Sequence, residues 1–195
     1  AEVEMQKNIA EKQKEVVEIK NEEILSSIQN AKRIQTAILP SQKKLDNIGL
    51  SNFVVYQPKD IVSGDFYWFE RIGTKLYFTA ADCTGHGIPG ALISMAGNIS
   101  LSNAVDHFGL TKPSEILTKT NELFLNFMNA NESNISNDGM DIILCSINHN
   151  SNLIRFAGAN RCLYLVTKKH TYKPCGVVNN YTELIQEENA LYEIK

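Results

Sequence analysis

The chain has no apolar run near the roughly 20 residues that a membrane-crossing helix needs. Its first residues carry neither the basic nor the apolar segment of a secretory leader. An excess of positive charge is also missing: the net charge is −3, so nothing electrostatic draws the chain to a nucleic-acid backbone. The Lys168-Lys169-His170 cluster is too short to change that. Cys83, Cys145, Cys162 and Cys175 show no C-x-x-C spacing, which argues against zinc ribbons and redox motifs. Three of them lie in or beside apolar runs, where cysteine behaves as a small hydrophobe. The expectation is a reduced, cytoplasmic chain with no nucleic-acid partner and no membrane segment of its own.

Glycine and proline are absent from residues 1–39, which hold seven acidic and six basic side chains. Apolar residues recur there every seven positions, at Val3, Ala10, Val17, Ile24, Ala31 and Ile38. This is helix with one coiled-coil-like column. The second seam position is polar at Gln6, Gln13, Lys20 and Ser27 and turns apolar only at Ile34. One column with a polar companion does not hold a tight dimer alone. The segment reads as the end of a longer signalling helix whose last two turns dock on the domain, or as an ordinary amphipathic surface helix. The division is therefore a helix, 1–39, and a domain, 40–195. At 43% apolar and 21% charged residues, the whole chain has a globular composition.

Pro40-Ser41 ends the helix, and the polar residues to Asn47 read as a connector. Residues 50–57 read as a strand that Pro58 breaks. Two strand-like runs follow, one opening at Asp65 and one closing at Asp82, joined by a turn at Gly73. Beyond Gly85-His86-Gly87, a helix runs through Ala91, Leu92, Met95, Ile99 and Val105. Its small residues allow close packing, and Gly97 costs about 1 kcal/mol against alanine in a helix interior, so a packing reason is expected for it. Pro113 starts a second helix over 113–129, with Ile116, Leu117, Leu123, Phe124 and Phe127 as its apolar face. A loop to Gly139 precedes strands at 140–148, 153–157 and 161–167, with a turn at 149–152. Residues 168–189 read as a long loop, and 190–195 as a strand cut short.

If the hairpin pairs antiparallel through Gly73, the start of one run lies beside the end of the other. Asp65 and Asp82 then share one edge of the sheet. Carboxylates without a matching histidine or cysteine set point to a hard cation, magnesium or manganese, bound through oxygen and water. Gly64 and Gly85 leave the backbone beside each aspartate unobstructed, and the main-chain carbonyl of Cys83 offers a neutral ligand. Two such ions clamp a phosphate and activate a bridging water, which implies direct phosphoester hydrolysis. Ser-Gly-Asp and Thr-Gly-His-Gly are also ordinary turn chemistry. His86 lacks the soft-ligand cluster it would need as a metal ligand. Asp60, Asp138 and Asp141 read as turn and strand-end residues, with Asp141 a third carboxylate only if its strand ends beside the hairpin.

Tyr56-Gln57-Pro58, Val62-Ser63-Gly64-Asp65-Phe66-Tyr67 and Ala81-Asp82-Cys83-Thr84-Gly85-His86-Gly87-Ile88-Pro89-Gly90-Ala91-Leu92 occur in that order. The series closely resembles the bacterial branch of the protein phosphatase 2C-like (PPM) superfamily, typified by stage II sporulation protein E and sigma-factor-regulating phosphatases. Gly139-Met140-Asp141-Ile142, Phe156-Ala157-Gly158-Ala159-Asn160 and the lead-in Ala31 to Pro40 resemble further landmarks, so the likeness covers roughly residues 24 to 165. It implies an α+β fold, an αββα sandwich of two antiparallel sheets flanked by helices. It also implies serine/threonine phosphoprotein hydrolysis with two Mn2+ or Mg2+ ions. Carried over by position, Asp65 ligates one ion, Asp82 bridges both, and the Cys83 carbonyl stands for the family's next-residue ligand. Ser63 stands where the family often has glycine.

The family supplies further metal aspartates from a Thr/Ser-Asp-Gly motif and an Asp-Asp strand start near the domain's carboxyl end, and neither is present here. The fold is therefore expected to be C-terminally incomplete, with weak or single-ion binding and an unpaired sheet edge. The implied partner is a phosphorylated regulator of the anti-sigma-factor antagonist type, with a sensor domain upstream and homodimerisation through the helix. Lys59, shortly before Asp65, is a candidate for meeting the substrate phosphate, or a solvated surface lysine. The competing reading is a non-catalytic regulatory module of the same fold.

Overall fold

The computed structural model describes residues 2–128, 138–148, 150–151, 153–166, 171–172 and 192–193. Helix α1 spans Glu2–Ile38. Most of it is exposed, and Ile28, Ala31, Gln35 and Ile38 are the residues that lose solvent, a spacing that places them on one face. The last turns of α1 therefore dock against the helix α3, Gly87–Asp106, as the sequence suggests. Val3, Val17 and Ile24 of the heptad column remain exposed.

The connector expected to Asn47 instead contains a short helix, α2, Gln42–Asp46. Ser41 caps it, its side chain accepting from the Lys44 N–H at 3.3 Å, and Leu45 is buried. The strand expected at 50–57 does not form: residues 51–58 have no regular structure. Phe53 is 87% exposed and Val55 75%. The run Phe53-Val54-Val55-Tyr56 favours strand, but among the described residues no neighbouring strand supplies the hydrogen bonds that would fix it.

The hairpin forms as expected, with β1, Asp65–Ile72, antiparallel to β2, Lys75–Cys83, around a left-handed Gly73. Strand β3, Met140–Asn148, pairs with β2, and β4, Leu153–Ala159, pairs with β3. These four strands make an antiparallel sheet in the order β1-β2-β3-β4. Helix α3 and helix α4, Pro113–Met128, cover one face of it. The expected strand 161–167 is reduced to β5, Leu165–Val166, paired with β6, Thr171–Tyr172. Arg161 is instead turned back over the sheet end. The final strand survives as β7, Tyr192–Glu193, beside β4. The result is an α+β fold with helices flanking an antiparallel sheet; apart from the short β5–β6 pair, no second sheet that would close a sandwich is seen among the described residues. The expected loop over 129–137, parts of the 149–152 turn and most of 168–189 lie outside the described residues.

Strand alternation decides which side chains meet the helices. Phe66, Trp68, Tyr77, Ala81, Met140, Ile142, Leu144 and Ala157 join Ile93, Leu101, Ile116, Leu117 and Phe124 in one buried core. Each fully buried side chain of this size contributes about 1.5–3 kcal/mol. Trp68 Nε1 donates to Ser102 Oγ at 3.1 Å and the Tyr77 hydroxyl to the Thr111 carbonyl at 2.9 Å. A Cβ on Gly97 would lie 2.9 Å from Met140 Cε and 3.2 Å from Phe66 Cε1, which is the packing reason expected for that glycine. In α4, Thr120 is buried and Phe127 is 67% exposed, so the buried stripe is narrower than the sequence suggests. On the other sheet face Phe69 and Leu76 pack under Leu45 and Ile48. That face carries the site.

Candidate functional site

The turn before β1 is held from three sides. Gln35, 4% exposed, reaches from α1 to Ser63. Its Nε2 donates to the Ser63 carbonyl at 2.6 Å and its Oε1 accepts the Ser63 N–H at 3.0 Å. The same Nε2 donates to Ser94 Oγ of α3 at 2.9 Å. Ser63 Oγ then accepts the Asp65 N–H at 3.0 Å, and the Tyr56 hydroxyl donates to the Asp65 carbonyl at 3.2 Å. The start of β1 is thus fixed to both helices through hydrogen bonds that are mostly buried.

After β2 the chain turns through Gly85 (φ +87°) and Gly87 (φ +63°), a left-handed backbone on both sides of His86 that L side chains rarely adopt. A Cβ on Gly64 would lie 2.5 Å from the Gly85 carbonyl oxygen and 3.1 Å from that of Cys83. A Cβ on Gly90, in the first turn of α3, would lie 2.5 Å from the same Gly85 oxygen and 3.2 Å from the Gly64 Cα. Three stretches of backbone meet where no side chain fits. Thr84 N–H donates to the Gly139 carbonyl at 3.0 Å, and the Gly139 N–H to Thr84 Oγ1 at 3.0 Å, so β3 begins at the same place.

This geometry brings Asp65 opposite Asp82, and Asp82 opposite Asp141. Directly opposed residues share a sheet face, so three carboxylates form a row across the strand ends, on the face away from α3. The condition for Asp141 to join the pair, that its strand end beside the hairpin, is met. Partial burial raises the Asp65 carboxyl above its usual range, and Asp82 raises it further by hydrogen bond and charge, while Arg161 opposes the shift. Arg161 Nη2 hydrogen-bonds and ion-pairs with Asp82 Oδ2 and lies 3.7 Å from Asp141 Oδ2. Asn160 Nδ2 donates to Asp141 Oδ1 at 3.2 Å.

The other candidates lie elsewhere. The Cys83 thiol points into the core, where burial pushes it up to about 12; its main-chain carbonyl lies against Gly64. Lys59 is exposed and, among the described residues, is ion-paired to none of the three carboxylates. His86 Nδ1 and Asp60 Oδ2 are 2.8 Å apart, a pair of their own on the turn. Cys83 and Cys145 are free and buried, as the apolar runs around them suggest. Cys162 is half-buried beyond the β4 bend, not a core hydrophobe.

Hard oxygen donors crowded enough to perturb Asp65 are chemically suited to Mn2+ or Mg2+. The fit is partial. Adjacent strands lie about 4.8 Å apart, so the outer two members of the row are roughly 10 Å from each other and do not converge on one ion. Among the described residues no group of three or more His, Cys, Asp or Glu side chains is gathered closely enough to hold a metal. Asp65 with Asp82 fits one dication in part; donors for a second ion are not among the described residues. Asp141, Arg161 and Gln35 were not identified as site residues from sequence. The first carried a conditional signal, the other two none that composition or periodicity displays.

The family model described as Stage II sporulation protein E (SpoIIE) matches residues 73–178, more than half of the chain. Among solved structures, the SiaA-PP2C domain of Pseudomonas aeruginosa is similar with a TM-score of 0.71 at 29% identity, covering 80% of this chain and 62% of that one. A Stage II sporulation E family protein from Thermanaerovibrio acidaminovorans has a TM-score of 0.45 at 14% identity, over 55% of this chain and 51% of that one. The PP2C phosphatase domain of SpoIIE from Bacillus subtilis, with a fragment of its regulatory domain, has a TM-score of 0.46 at 16% identity, over 60% and 33%. The chain therefore spans less than two thirds of the Pseudomonas domain it matches. No curated protein sequence matches.

Proposed function

Because the chain belongs to the stage II sporulation protein E family of PPM-type phosphatases, we propose that it is the metal-dependent serine/threonine phosphoprotein phosphatase domain of a bacterial partner-switching or sensor pathway. The observation that carries this reading is the Asp65–Asp82 register beside the Gly64–Gly85–Gly90 backbone contact. When bound, Mn2+ or Mg2+ supplies a water acidic enough to attack a phosphoester and a positive clamp for its oxygens. Asp65 and Asp82 hold the ion, with the Cys83 carbonyl as a neutral ligand. The glycines keep side chains out of the approach, and Gln35 and Ser63 fix the position of Asp65. Lys59, exposed shortly before β1, would meet the substrate phosphate. The complete αββα sandwich with its second sheet, and the division at residue 39, belong to the same reading.

The substrate class is a phosphoserine or phosphothreonine on a small regulatory protein of the anti-sigma-factor antagonist type. Helix α1 connects the domain to an upstream sensor and pairs with a second copy through its exposed column; the same number of copies per particle by light scattering for the whole chain and a chain beginning at Ser41 would remove that role. No helix among the described residues is long and apolar enough to cross a membrane, in keeping with a cytoplasmic site of action.

A second reading, a non-catalytic regulatory module of the same fold, draws on one observation: Arg161 already neutralises Asp82. Mn2+-dependent hydrolysis of p-nitrophenyl phosphate separates the two. Turnover by the whole chain that Asp82→Asn abolishes supports the enzyme, and no turnover at saturating Mn2+ supports the module.

A further inference from the structure

The carboxylate row contains a cation that the chain supplies itself. Strand β4 ends in the sequence Gly158-Ala159-Asn160-Arg161, and each step turns the chain back over the sheet. A Cβ on Gly158 would lie 2.8 Å from the Arg161 carbonyl oxygen and 2.9 Å from Ile143 Cδ1. Asn160 takes a left-handed backbone, φ +56°, the one non-glycine residue with positive φ among those described. Asparagine tolerates that conformation better than most residues. Asn160 also forms a parallel bridge with Ile142 and hydrogen-bonds Asp141. The turn is thereby fixed to β3 by both main chain and side chain. Its effect is to swing Arg161 off the strand path and onto Asp82 and Asp141.

We propose that Arg161 is the resident counter-ion of the Asp65–Asp82–Asp141 row, and that a divalent cation enters only as the guanidinium leaves Asp82. The proposal rests on the metal-dependent reading above. Asp82 is the central member of the row, and one oxygen of its carboxylate is already taken by Arg161. A dication on Asp65 and Asp82 would sit within a few ångströms of the guanidinium. Even in water-like dielectric, a double and a single positive charge about 5 Å apart repel enough to weaken binding roughly tenfold. Release of Asp82 leaves Arg161 beside Asp141, 3.7 Å away, so the arginine keeps a partner after displacement. Arg161 is a positioning residue here: it sets the threshold for cation entry, and Asp141 is its holding place.

Isothermal titration of Mn2+ into the whole chain, Arg161→Gln, Arg161→Lys and Arg155→Gln tests this. Arg155 is exposed on β4 on the opposite sheet face, near Tyr77, and controls for net charge. The expected result is Mn2+ binding about tenfold tighter in Arg161→Gln than in the unmodified chain, little changed in Arg155→Gln, and intermediate or unchanged in Arg161→Lys. Equal affinity for the unmodified chain and Arg161→Gln overturns the proposal and leaves the metal-dependent reading standing. Absence of Mn2+ binding in every variant removes both. A second measurement needs no variant: in arginine-labelled protein, Mg2+ is expected to shift the Arg161 Nε–H resonance. A resonance that stays put while Mg2+ saturates the site overturns the proposal.

Discussion

Gly90→Ala gives a prediction whose sign distinguishes packing from propensity. Gly90 lies in the first turn of α3, where alanine should help, since glycine in a helix costs about 1 kcal/mol relative to alanine. The surroundings argue the other way. The added Cβ would meet the Gly85 carbonyl oxygen at 2.5 Å and its carbon at 2.8 Å, with the Gly64 Cα at 3.2 Å. All three are backbone atoms, so no side chain can rotate aside. Overpacking of this kind costs roughly 1–3 kcal/mol or more, and rigid obstacles on two sides place it at the upper end. After the propensity gain the net loss is about 1–3 kcal/mol, which for a chain of this size lowers Tm by roughly 3–10 °C. Urea and thermal denaturation of Gly90→Ala beside Gly139→Ala provide the comparison. No atom lies within 4 Å of a Cβ on Gly139 and its φ is ordinary, so that variant is expected to be neutral or slightly stabilised through the unfolded chain. A Gly90→Ala protein as stable as the unmodified chain would refute the close backbone contact on which the site's geometry depends.

Gln35→Leu leaves the Ser63 N–H buried without its acceptor, while Ser94 Oγ, 3.2 Å away, still reaches the Ser63 carbonyl. The expected loss is about 1–3 kcal/mol, read by chemical denaturation, together with faster amide exchange at Ser63; unchanged exchange would show that the amide is not held by Gln35. For Asp65 the folded carboxyl sits above its usual 3.8. The folded state therefore binds more protons than the unfolded state in the window above 3.8, and stability falls as pH rises through it. In chelator, Asp65→Asn is expected to raise Tm at pH 7, with the difference disappearing below the unfolded value. A gain that persists at pH 2.5 would point to a cause other than charge.

Elements with a sustained period were legible in the sequence. Helix α1, the hairpin, α3, α4 and β3 each follow from spacing and from Gly or Pro at the boundary, and the Asp65–Asp82 pairing follows from antiparallel register through Gly73. Residues 50–57 show the limit of local composition: Phe53-Val54-Val55-Tyr56 favour a strand but do not supply a partner strand. Helix α2 was missed for the opposite reason, because five residues are too few for a period, although Ser41 ahead of them is a capping residue. Arg161 was not legible as a site residue because its position depends on one left-handed φ at Asn160, and hydrophobic patterning is blind to backbone handedness. The Gln35 contact joins residues 28 apart in sequence, and only the docked helix brings them together.

The hairpin also separates two ends with different tolerances. Asp65 and Asp82 occupy one end, and Gly73-Thr74 the other, about 23 Å away over the seven steps of β1. One residue inserted within either strand would invert every side chain beyond it, burying a carboxylate and exposing Phe66 or Ala81. Residues inserted at Gly73-Thr74 would lengthen a surface loop and leave the paired register as it is. That turn is accordingly the place where a reporter peptide or a whole fluorescent domain can be grafted without disturbing the aspartates.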